Sequence, residues 1–232
     1  MKPAPPVTRT VLIGAMLVSR RARIPLPTAT EPPSVPASSP FDPRAPLLRS
    51  ERCLLGIPSV EGAGAVLDYY LRNREHLEPW EPARPTAFYS PAFWEAHLRH
   101  NFEDFRQGTS FRAVVTLQEE PGRVVGAANL SNIARGVFLS CHLGYSFDGV
   151  ASGQGLATEA VGRLVQHAFE GLGLHRVQAA YIPENVRSER LLTRLGFERE
   201  GLAEQYLFIG GAWRDHVLTA RRAPGAVRPI LP

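Results

Sequence analysis

The sequence holds only two cysteines, Cys53 and Cys141, in 232 residues. Two thiols cannot build a disulfide framework or a cysteine-based zinc site, and their scarcity suits a reducing compartment, so a cytoplasmic protein without a metal is expected. Long apolar runs are also missing. The best candidate, Val11 to Val18, is eight residues long and is followed by Arg20, Arg21 and Arg23. A membrane helix needs about 20 residues, the positive charge is heavier behind this stretch than ahead of it, and no small-residue cleavage site is convincing. Neither a span nor export is expected. Methionine is scarce too: Met16 is the only one after Met1, and initiation there would delete most of the apolar stretch.

A surplus of one charge is absent from most of the chain. The net charge of +4 suggests a nucleic-acid or membrane partner until it is divided: residues 1–50 hold seven Lys or Arg against two Asp or Glu, while the other 182 hold 19 against 20. The basic excess belongs to the N-terminal segment, so no direct nucleic-acid or membrane contact is expected of the body. Eleven of the 21 prolines precede position 47, among Ser, Ala and Thr. Such composition does not offset its own ordering entropy, so residues 1–45 are expected to be a disordered leader, 46–222 one folded domain and 223–232 a flexible tail.

Within the body, Leu47 to Leu55 reads as a short strand and Ser59 as the N-cap of a helix to about Asn73, with Ala63, Val66, Leu67, Tyr70 and Leu71 at helical spacing. His76 to Pro85 is a proline-broken stretch. Ser90-Pro91 starts a second helix whose aromatic stripe, from Phe93 to Phe105, reads as core packing. The period then changes to two over Phe111–Leu117, Val124–Leu130 and Phe138–Phe147, separated by Pro121-Gly122 and Arg135-Gly136, which predicts an antiparallel meander. Gly155 to Leu172 reads as a helix, Val177 to Ile182 as a strand and Arg187 to Leu195 as a helix. Phe197–Ile209 and Trp213–Arg221 close the chain as a hairpin. The fold class is α+β, with about seven strands, about four helices and no repeat.

The segment SGQGLATEA sets Gly153 and Gly155 ahead of a helix. Glycines let successive N–H groups line one concavity, and the helix N-terminus adds partial positive charge, so a phosphate fits without a lysine. The turn follows a meander and has no GK[ST] ending, which disfavours both the dinucleotide fold and the nucleotide P-loop.

Here the chain resembles the GNAT superfamily, whose motif is Gln or Arg, two residues, Gly, one residue, then Gly or Ala. Gly155 and Ala157 match its last two positions, and Ser152 stands where Gln or Arg is usual. The block IPENVRSERLLTRLGFEREG resembles the family's next segment, with Leu192 where many members carry a tyrosine acid. HLEPWEP, ANLSNIARGVF, HLGYS and WRDHVLTA narrow the resemblance to RimJ-type alanine N-acetyltransferases of ribosomal protein S5, over roughly residues 47–222.

The resemblance implies a mixed sheet with a splayed parallel pair, and acetyl-coenzyme A as co-substrate. Its phosphates would lie on the main chain of Gly153, Gln154, Gly155, Leu156 and Ala157, and its pantetheine arm along Tyr145, Ser146 and Phe147. Ser188 would stand beside the sulfur and Asn185 near the cofactor, with helix capping, which their spacing also permits, as the lesser alternative. For the base, Glu81 comes first and His142 second, through water; a loop glutamate is more often simply solvated, and His142 is equally a core-facing strand residue. Trp80, Tyr206, Asp215 and His216 are expected in the acceptor groove. Otherwise Trp80 is a packing anchor, and Asp215 pairs with Arg214 or Arg222. The expected activity is N-terminal acetylation of a protein by a monomer or homodimer. The alternatives are acetylation of a small amine, an antibiotic or polyamine, and a non-catalytic ribosome-assembly protein.

Overall fold

The computed structural model describes residues 39–149, 153–225 and 227–228. The apolar stretch Val11–Val18 and most of the expected leader lie outside them, as does Ser152. No described helix is long and apolar enough to cross a membrane.

The run Leu47–Leu55 does not form one strand. Its polar centre, Ser50-Glu51-Arg52, folds into a tight turn, and β1 (Leu48–Arg49) doubles back on β2 (Cys53–Gly56) with Leu48 opposite Leu55. The Ser50 hydroxyl takes the Cys53 N–H at 3.2 Å, which satisfies a donor the turn would otherwise strand. After a 3-10 turn at Val60–Gly62 come α1 (Ala63–Arg72) and a single-turn α2 (Arg74–Leu77), which runs into the start of the expected proline-broken stretch. Ser59 makes no side-chain cap; Gly62 instead lies so close to Pro40 that a Cβ would meet its carbonyl oxygen at 2.5 Å. Then α3 (Pro91–Arg106) starts as expected, with the Ser90 hydroxyl accepting from the Phe93 N–H.

The meander is β3 (Phe111–Leu117), β4 (Val124–Ala134) and β5 (Ser140–Phe147). It is followed by α4 (Leu156–Glu170), β6 (Arg176–Tyr181), α5 (Val186–Arg194), β7 (Glu198–Ile209) and β8 (Ala212–Arg222). Together they form an eight-stranded mixed sheet of order β1-β2-β3-β4-β5-β6-β8-β7, antiparallel except for β5 against β6.

Strand alternation sends side chains to two cores. Cys53, Leu55, Ala113 and Val115 pack on α4 through Ala160, Val161, Leu164 and Val165; Leu54 and Val114 pack on α1 and α3 through Val66, Tyr69, Trp94 and Leu98. The aromatic stripe belongs to the second core, with Trp94 stacked on Tyr70 at 4.9 Å. Leu164 has no solvent exposure, and its truncation to Ala would cost about 3 kcal/mol. Packing starts before the expected boundary at 46: Phe41 is 3% exposed and bridges Pro58.

Candidate active site

The parallel pair of strands creates an opening. β5 and β6 are in register only over Ser140–His142 against Arg176–Gln178. Beyond that, Leu143–Phe147 stays with β4 while Ala179–Tyr181 stays with β8, so the two strands separate. A splay leaves the β5 edge with unpaired main-chain donors and acceptors, able to pair with an extended ligand.

At one end of the chain segment leaving β5 stands the glycine turn. Gly153 and Gly155 have φ of +84° and +79°, in the left-handed region that favours glycine, and Gly155 is the N-cap of α4. Leu156 is buried and Ala157 packs against the core, so both offer only main-chain N–H groups to the turn. Arg52, from the β1–β2 turn, donates to the Gln154 carbonyl at 3.1 Å and forms an ion pair with Glu159 of α4 at 2.8 Å.

The side chains of β5 divide between the two faces. Tyr145 turns toward α5 and Ser188; burial pushes its phenol up to about 12, with the Ser188 side chain acting the other way. Asn185 caps α5 by accepting from the Ser188 N–H at 3.1 Å, a main-chain bond that does not use the Ser188 hydroxyl. The capping reading of Asn185 therefore holds. Leu192, one turn further on, is buried core.

Ser146 faces α1 instead. The Tyr69 hydroxyl donates to Ser146 Oγ at 3.0 Å. Burial holds the Tyr69 and Tyr70 phenols well above their ordinary range and therefore protonated. Phe147 returns to the α4 side and packs over Gly126. His142 lies on the Ser146 face, half-buried, with Nδ1 3.5 Å from the Asn132 amide; it is not a core-facing residue.

Glu81 lies against a small cavity of about 100 Å³ lined also by Tyr70, Arg74, Glu78, Arg84 and Tyr89. Its carboxylate is held by Arg84 at 2.7 Å rather than loosely solvated. Trp80, on the adjoining 3-10 turn, is 41% exposed and anchors no packing. The late hairpin brings Tyr206 and His216 together at 5.5 Å, with His216 buried and its Nδ1 on the Arg214 carbonyl. Asp215 makes neither expected ion pair. Arg214 goes to Glu184 and Arg222 to Glu198, while Asp215 accepts from the Gln205 N–H at 2.8 Å, bracing a residue at φ +48°.

A family model described as an acetyltransferase (GNAT) domain matches residues 58–198, which include the turn, the splay and α5. The chain belongs to the GNAT family. As a GNAT acetyltransferase it is an acyl-transferring enzyme. It is 41% identical over 177 residues to the [ribosomal protein uS5]-alanine N-acetyltransferase of Escherichia coli, a match covering 76% of this chain and 91% of that one. Among solved structures it resembles the ribosomal-protein-S5-alanine acetyltransferase of Vibrio fischeri, with 38% identity, a TM-score of 0.73, and 76% and 96% of the two chains covered. It also resembles Mycobacterium smegmatis RimJ in complex with CoA-disulfide, with 32% identity, a TM-score of 0.71, and 77% and 87% covered.

Four residues of this GNAT site escape sequence reading: Arg52, Tyr69, Tyr70 and Arg84. The two tyrosines sit side by side on α1, where an apolar stripe accounts for only one of them; that adjacency was the available signal.

Proposed function

We propose that this enzyme transfers the acetyl group of acetyl-coenzyme A to the N-terminal α-amine of a protein in the cytoplasm, and that the acceptor is the alanine N-terminus of ribosomal protein uS5. The observation that carries this reading is the 41% identity sustained over 91% of an enzyme named for that reaction. The residues present fit the co-substrate. Two left-handed glycines ahead of a fifteen-residue helix make an anion cradle, and the splay exposes strand edge for an extended arm.

The co-substrate supplies an activated thioester; everything else is asked of the chain. Main-chain N–H groups of Gly153 to Ala157 receive the phosphates, with Asn185 and the edge of Tyr145, Ser146 and Phe147 along the arm. A β5 N–H meets the developing oxyanion. Ser188, in the first turn of α5 that Asn185 caps, protonates the departing sulfur from the α5 face. The acceptor enters from the α1 face, between Trp80 and Glu81 on one side and Tyr206, Asp215 and His216 on the other. An α-amine with a pKa near 8 is roughly one-tenth neutral at pH 7, so a modest base suffices. Glu81, fixed by Arg84, takes the proton through water, with His142 as the second group on that face.

The test is thiol release with acetyl-coenzyme A and peptides beginning with Ala, Ser or Met, run beside polyamines and an aminoglycoside. Turnover of the Ala peptide above the others is expected. Turnover of small amines alone would sink the reading.

A further inference from the structure

We infer that Arg52 is a positioning residue for the phosphates of coenzyme A, acting by fixing which way the Gln154–Gly155 peptide faces; the inference rests on the coenzyme A reading above. That peptide runs from Gln154 into Gly155, whose φ is +79°, one peptide after Gly153 at φ +84°. Glycine has little preference of its own, so a peptide leading into Gly155 turns over easily unless something outside the turn holds it. In one orientation its N–H faces the cradle; in the other a carbonyl oxygen would confront the phosphate.

The hold comes from more than a hundred residues away in sequence. Arg52 Nη1 donates to the Gln154 carbonyl at 3.1 Å. The peptide is planar and trans, as every described peptide bond is, so a carbonyl fixed toward Arg52 sends the Gly155 N–H the opposite way. The guanidinium cannot wander. Its Nε and Nη2 both meet Glu159 Oε2 at 2.8 Å, while the Arg52 N–H and the Ser50 hydroxyl meet Oε1 at 2.6 and 2.7 Å. The β1–β2 turn beneath is pinned in its own right, because the Gln118 amide donates to the Ser50 and Glu51 carbonyls at 2.6 and 3.0 Å. Arg52 thus clasps the first turn of α4 and the loop ahead of it as one unit. Its charge is matched by Glu159, so what it adds is orientation, and a lysine, lacking the planar fork, does not reproduce that. Arg52 lies outside the segment matched by the family model.

Calorimetric titration of the full chain with coenzyme A, and steady-state kinetics with acetyl-coenzyme A against S-acetylpantetheine, which has no phosphates, test this. For Arg52→Ala and Arg52→Lys alike, coenzyme A should bind about ten- to a hundredfold more weakly, the loss expected when one N–H bond to a charged group is misdirected. The preference in kcat/KM for acetyl-coenzyme A over S-acetylpantetheine should collapse by a similar factor. Unchanged coenzyme A affinity in Arg52→Ala overturns the inference. So does an equal loss with both acyl donors, which makes Arg52 mere scaffold, or full rescue by lysine, which makes it mere charge. If the wild-type chain itself fails to bind coenzyme A, the underlying reading falls instead.

Discussion

Replacing Gly155 with alanine separates the energetic cost of the turn from its use. At φ +79° an alanine is strained, while its Cβ would meet only Arg52 Nη2 at 3.6 Å, an ordinary contact. The cost is therefore conformational, about 1–2 kcal/mol. For a domain of this size each kcal/mol lowers Tm by about 2–4 °C. Gly136 supplies the matched control: it sits in the β4–β5 loop at φ +68° with nothing within 4 Å of a Cβ. Gly136→Ala carries the same strain away from the cradle. Both variants should therefore melt a few degrees lower by calorimetry, and only Gly155→Ala should lose coenzyme A affinity, by about tenfold or more as one or two N–H groups leave the phosphates. Undiminished affinity in Gly155→Ala, or an equal loss in Gly136→Ala, would refute the assignment of the turn.

Ser188→Ala leaves the Asn185 cap in place, since Asn185 accepts from the Ser188 main chain, so stability should move by no more than about 0.5 kcal/mol while kcat falls about tenfold or more; an unchanged kcat removes Ser188 from the reaction. His167 is depressed to about 4, by burial first and by Arg163 second. Its folded value lies below its unfolded value, so its contribution is full above pH ~6.5 and is lost as pH falls toward 4, up to about 3 kcal/mol. Urea unfolding at pH 7 and 4.5 should accordingly show a smaller acid loss in His167→Gln than in wild type. Gln205→Gly relieves the left-handed φ of +48° and should raise stability by about 1 kcal/mol, read as Tm.

What the sequence reveals is local. β3 falls at Phe111–Leu117 as its period-two pattern implies, and α3 begins at the Ser90-Pro91 signal. The turn inside Leu47–Leu55 was missed because the apolar ends outweighed a three-residue polar centre that was itself the signal. The site is legible only in part, because its decisive contacts are remote in sequence. Arg52 reaches Glu159 and Tyr69 reaches Ser146 through the fold, and no spacing rule encodes either. Asp215 shows the same limit: a neighbouring arginine suggested an ion pair, yet both candidate arginines found glutamates and the aspartate found a strained N–H.

The division of β5 into two faces explains why a single strand can serve both halves of the proposed transfer. Neighbouring side chains of a strand point to opposite sides, so Tyr145 meets Ser188 of α5 while Ser146, one residue later, meets Tyr69 and Tyr70 of α1. The acyl carbon would lie at the edge between them. Removing a proton from the amine and adding one to the sulfur are then tasks for different residues, reached from different sides of the sheet. Neither Glu81 nor His142 need approach the sulfur, and Ser188 need not approach the amine. A leucine at position 192 is tolerable under the same proposal, because the hydroxyl it assigns to the sulfur comes from the start of α5, which Asn185 caps.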